Sequence, residues 1–199
     1  MSGVVHAPEA PRPARLTMQV SLSPIERRAL RREAVGRFPV QAQHVSIRSA
    51  STFARCARKV GLAGNLFTRY RMLDDVSLVV HHQGATQDRG FYLNAGLYFA
   101  ELLDYPLTAS DLESAFLYRS SIPTPHVDWR IEDTPGLRRA FIQQDLEDLL
   151  MAGERDALKC LLLDALADVA GFAATHGNRE SVRRMQQDGS FRALIRREV

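Results

Sequence analysis

Three histidines, at 81, 82 and 126, and the alternating run His126-Val-Asp128-Trp-Arg130-Ile131 carry the side chains of this chain best suited to chemistry. An imidazole near a carboxylate can move protons, and a guanidinium can hold an anion. Tyr92, Asn94 and Tyr98 would join His81, His126, Asp128 and Arg130 if their segments were strands sharing one sheet face, and Arg69 or Arg71 would complete the group. The same mixture also describes any solvated sheet face. A metal is a weaker expectation. His81 and His82 are adjacent, so in a strand they point to opposite faces and only one can join His126 and Asp128. Three ligands without supporting spacing do not make a recognisable site, and none is expected.

The elements that would position these residues follow from periodicity. Phe91-Tyr-Leu-Asn-Ala-Gly-Leu-Tyr-Phe99 alternates so regularly that it predicts a central strand. Phe91, Leu93, Ala95, Leu97 and Phe99 would face the core, with Tyr92, Asn94 and Tyr98 opposite. Leu66–Leu73 and Val76–Gln83 read as two more strands, joined by short turns at Asp74-Asp75 and Gly84–Gly90, hence an antiparallel meander. A fourth, His126–Glu132, follows Pro123 and Pro125, which suit an edge. Between strands three and four, Thr108 and Asp111 can start a short helix.

Helical signals flank the sheet. Ser23-Pro24-Ile25-Glu26 has the form of a capping box, predicting a helix to about Val35 that carries Arg27, Arg28, Arg31 and Arg32 on a basic face. A second helix is expected from Ser49 to Val60, closed by Gly61. After Thr134-Pro135, apolar residues recur at helical spacing through Leu137, Phe141, Leu146, Leu149 and Leu150, then through Leu158, Leu161, Leu162, Leu166, Val169 and Phe172. Asn178 can cap a last basic helix running toward Ile195. The expectation is therefore an α+β protein: a tail over 1–17, an α+β domain over 18–133 with about four antiparallel strands in 65–132, and a helical extension over 134–199. The leucine stripes are also wide enough to pair two copies.

Charge is arranged as unevenly as hydropathy. Residues 1–71 hold 13 basic and 3 acidic side chains, and residues 72–170 hold 7 and 17. Either the two halves neutralise each other or they form two surfaces for partners. Asp145, Glu147 and Asp148 lead the acidic candidates. Only Lys59 and Lys159 are lysines among 26 basic residues, a skew toward arginine that fits GC-rich coding as well as phosphate contact. Cys56 and Cys160, the only cysteines, sit among apolar or basic neighbours in helix-like segments and are read as two buried, reduced thiols, with a disulfide joining them as the alternative. With no export signal and no apolar run of bilayer length, a cytoplasmic protein is expected.

Between Ser49 and Ile131 the chain resembles the bacterial family called domain of unknown function 4304. The resemblance rests on Phe91-Tyr-Leu-Asn94 with Gly96 and on His126 with Trp129-Arg130-Ile131; Pro125 stands where that family has a cysteine. It implies an α+β fold and no assigned activity. No phosphate-cradling glycine loop and no nucleophile elbow is present, so no cofactor is expected and binding is favoured over catalysis. A protein partner held by the acidic residues is the leading expectation, with neutralisation of a toxin as one form of it by analogy. Nucleic-acid binding through the arginine-rich N-terminal helices and catalysis on the polar sheet face are the alternatives.

Overall fold

The computed structural model describes residues 40–84, 90–116, 120 and 122–199, with side chains from residue 48 onward. The expected N-terminal tail, the helix bearing Arg27, Arg28, Arg31 and Arg32, and the tip of the turn after Gly84 lie outside the described residues. Pro39–Val199 forms one compact unit containing both the sheet and the C-terminal helices.

The order of elements is α1 (Val40–Lys59), β1 (Ala63–Gly64), β2 (Thr68–Met72), β3 (Val76–Gly84), β4 (Phe91–Phe99), α2 (Ala109–Ser114), β5 (Val127–Arg130), α3 (Gln143–Met151), α4 (Arg155–His176), α5 (Arg179–Gln187) and β6 (Leu194–Ile195). The class is α+β, as expected, but the antiparallel sheet has six strands, ordered β1-β2-β3-β4-β5-β6. Two short strands account for the difference. β1 pairs with β2, and β6 pairs with β5, so β5 is not the edge that its prolines suggested.

Local signals explain most boundaries. Gly61, at φ +82°, ends α1 with two reverse bonds, Gly61 N–H to Arg58 O and Leu62 N–H to Ala57 O. This is the left-handed helix stop that glycine makes without a Cβ clash. Thr108 and Asp111 cap each other's backbone at the start of α2, and Asn178 Oδ1 accepts from Ser181 N–H at the start of α5. Three expectations fail at boundaries. α1 begins nine residues earlier than Ser49. The segment after Thr134-Pro135 runs as turns, so that α3 starts only at Gln143, where Asp145 accepts from Ile142 N–H. The last helix ends at Gln187, and Gly189 at φ +74° turns the chain back toward β6.

One face of the sheet carries the main core. Leu78, Val80, Leu93, Ala95, Leu97, Val127, Trp129 and Ile131 pack there against Phe53 and Ala57 of α1 and Leu158, Leu162, Leu166, Val169 and Phe172 of α4. The apolar stripe of α4 is thus consumed inside the fold. Trp129 donates its Nε1–H to Thr134 Oγ1 and meets Phe172 and Phe191 edge-on. Cys56 is buried, with its Sγ–H directed at Lys159 O, and burial pushes its pKa up. Cys160 is exposed, contrary to the expected pair of buried thiols, and both cysteines are free. Among the described residues, no helix is long and apolar enough to cross a membrane.

Candidate functional site

Cross-strand register decides which of the candidate residues meet. Asn94 lies opposite both His81 and Arg130, and Gly96 lies opposite Asp128. His81, Tyr92, Asn94, Tyr98, Asp128 and Arg130 therefore share the second face of the sheet, as the alternation predicts. Arg69 and Arg71 do not. They pair with Val80 and Leu78, which places them on the helix-covered face at the rim of the sheet. The reason is Tyr70, which takes the second face and packs with Val79 and Tyr98. Arg69 is buried, its Nε has no partner among the described residues, and burial lowers its pKa; Arg71 is exposed.

The second face is itself divided. At one end, Val79 and Tyr98 are buried under Leu107, Leu112, Ala115 and Ile122 from the long β4–β5 connection. Tyr98 donates its hydroxyl to Pro123 O, and burial raises its pKa. His81 bonds to Thr68 Oγ1 through Nδ1 and stacks on Phe116, and burial pushes its pKa down to about 4. His126, expected to point outward, is buried as well. Its Nδ1 accepts the Phe99 N–H at 2.9 Å, so its own proton sits on Nε2, and burial with nearby Arg196 lowers its pKa. These three side chains are committed to holding strands and lid together. His82, on the core face, shares a hydrogen bond with Ser49 Oγ and stacks on Phe91, and its pKa is likewise pushed down to about 4 by burial.

At the other end the face is open. Arg130 donates to Asn94 Oδ1 at 2.7 Å, Asn94 donates to Gln83 Oε1 at 2.9 Å, and the guanidinium lies 4.2 Å over the ring of Tyr92. This polar row floors a cleft of about 580 Å³ walled by Phe116, Asp128, Asp133, Arg192 and Leu194. Burial raises the Asp128 pKa against the opposing pull of Arg130. Gly96 lets the lid approach this floor, since a Cβ there would lie 2.6 Å from the Pro125 ring and 3.2 Å from Phe116. The cleft has cations and carboxylates but no nucleophile–base pair. Among the described residues, no group of three or more His, Cys, Asp or Glu could hold a metal.

The acidic candidates sit together on α3 but differ in their duties. Asp145 caps the helix, Glu147 accepts from Gln143 Nε2 and lies against Gly90, and Asp148 accepts from Gln144 Nε2. Asp145 and Asp148 are exposed, and so are the two large apolar residues that flank them, Ile142 at 63% and Met151 at 56%. Among the described residues, no salt bridge joins the basic segment up to Arg71 to the acidic middle of the chain.

A further basic groove escaped the sequence reading as a unit. Arg48, Ser51, Thr52 and Arg55 of α1 face Leu149, Leu150, Gly153, Arg155, Leu158 and Lys159 across a cleft of about 450 Å³. A smaller hollow of about 220 Å³, also bordered by Thr52, Arg55 and Lys159, adds Lys59. The available signal was spacing: Arg48, Arg55 and Lys59 stand at i, i+7 and i+11, on one helix face, and the only two lysines in the chain both end here. No family model, no curated protein and no solved structure matches this chain.

Proposed function

We propose that this protein acts by binding another protein, and that the outward face of α3 makes the contact. The carrying observation is that face itself, where Asp145 and Asp148 stand exposed between Ile142 and Met151. Gln144, Asp148 and Met151 recur at i, i+4 and i+7, so charge and apolar surface lie along one stripe. Such a stripe suits a partner that offers arginine or lysine around an apolar patch. Apolar burial supplies affinity, while opposite charge sets encounter rate and register. Neutralising a toxin whose working surface is basic is the most specific form of this reading. Catalysis has less support, because His81 and His126, the two imidazoles of the second face, are buried and committed to Thr68 and Phe99. The resemblance to domain of unknown function 4304 brings no activity and leaves the choice to these observations.

The test compares the tagged protein with its Asp148→Lys/Met151→Glu variant in capture from native lysate after nuclease treatment, read by mass spectrometry. Asp145 is left intact because it caps the helix. A stoichiometric partner captured by the parent and lost by the variant, at unchanged circular dichroism, is the expected result. Equal capture by both proteins would remove α3 from the interface.

A further inference from the structure

The basic groove between α1 and the α3–α4 junction needs its own explanation, independent of the outward face of α3. Five cationic side chains converge on its two adjoining hollows: Arg48, Arg55, Lys59, Arg155 and Lys159. Only Lys159 has a carboxylate within ion-pair distance among the described residues, and that partner, Asp156, is 94% exposed. Gathering like charges without counter-charge costs folding energy, and a bound anion would offset that cost.

The surroundings narrow the anion. Arg155 is the first residue of the 22-residue α4 and its N–H is bound by Gly153 O, but Glu154 contributes no side-chain cap, so the positive end of the helix dipole adds to the same field, against the first-turn carboxylate of Asp156. Leu149, Leu150 and Leu158 line the same groove, an apolar wall that a bare inorganic ion would not use. The volume, about 450 Å³, lies within the roughly 300–1,000 Å³ of small-molecule sites. A strand of nucleic acid would need a track several nucleotides long, whereas a volume of about 450 Å³ suits one nucleotide-sized molecule.

We propose that the groove binds a phosphorylated small molecule with an apolar body, of the nucleoside polyphosphate class. The phosphates lie between Arg48, Arg55, Arg155 and Lys159, and the base or an equivalent flat group lies on the leucines. Guanidinium groups suit this role because they pair with phosphate oxygens in bidentate fashion.

Calorimetric titration of the full chain with adenosine triphosphate, adenosine and inorganic tripolyphosphate tests the assignment. Adenosine triphosphate binds, and it binds more tightly than either the nucleoside or tripolyphosphate alone. The Arg48→Glu/Arg155→Glu variant weakens it at least tenfold, since losing either of its two charge-assisted contacts is worth about that factor. Both replaced side chains are exposed, so the melting temperature stays near that of the parent; Arg48→Ala/Arg155→Ala serves if the charge reversal disturbs folding. Absence of binding at millimolar triphosphate, equal affinity in the variant, tripolyphosphate binding as tightly as the nucleotide, or binding only of a single-stranded RNA oligonucleotide would each overturn the proposal. None of these outcomes bears on the capture experiment for α3.

Discussion

The two ends of the second sheet face share strands β3 and β4 and have opposite fates. At one end Val79 and Tyr98 lie under Leu107, Leu112, Ala115 and Ile122 and form a small second core. At the other, Gln83, Tyr92, Asn94 and Arg130 remain an open polar row. Strand alternation assigns a residue to a face. Whether that face is covered depends on a segment remote in sequence, here the connection between β4 and β5. A tyrosine at position 92 and a tyrosine at position 98 look alike in the pattern, yet one stacks under a guanidinium at the surface and the other is 1% exposed.

The sharpest way to break this comparison is to truncate both tyrosines. Tyr98→Ala removes a fully buried ring and leaves a cavity, costing about 3–5 kcal/mol, while Tyr92→Ala forfeits a surface cation–π contact of about 1 kcal/mol or less. Urea unfolding measures both, and equal losses would mean that the face is not divided as described.

Acid provides a second probe, because the buried histidines fold in their neutral form. His81 and His82 take up protons near pH 6.5 when unfolded but only near pH 4 when folded. The unfolded state therefore binds more protons in this window. Stability is complete above pH 6.5 and falls as pH drops toward 4, by about 3 kcal/mol for each histidine. His126 shifts in the same direction. Replacing His81 by Gln should remove one share of the slope, measured as the urea midpoint against pH; an unchanged slope would place His81 in solvent.

A third probe tests the boundary between the two ends. In Gly96→Ala, the new methyl meets the Pro125 ring, so the lid must shift, at a cost of about 1–3 kcal/mol. The displacement should appear as faster hydrogen exchange in the described lid residues 103–116 and 122–125, with β3 and β4 unchanged. Uniform protection across both would show that the lid yields freely.

What was legible in the sequence follows the same division. The nine-residue alternation of β4 names its inward residues, and Gly61, Thr108 and Asn178 mark their helix ends, because each of these signals is local. Arg69 and Arg71 were assigned to the wrong face because β2 is short and its register is set outside it. Asn65 Oδ1 accepts from both Phe67 and Thr68 N–H and so fixes the phase of the strand. β1 and β6 have two residues each, too few for any period to show. The basic groove was only half legible, for a different reason: the spacing shows its α1 face, but its α1 and α4 cations lie about a hundred positions apart and meet only because the helices pack.

That packing has a consequence for the order in which the molecule is made. The strands pair strictly with their sequence neighbours, so the sheet can grow as each one leaves the ribosome. α1 is synthesised before the sheet, yet it packs on α4, and Cys56 must wait for Lys159, 103 residues later. At roughly 5–20 residues per second, Phe53 and Ala57 spend on the order of 5–20 s without the part of their cover that α4 supplies. The nascent chain therefore passes through an interval in which a sheet lacking only β6 carries an amphipathic helix shielded on one side, and this is the stage at which chaperones would be needed most.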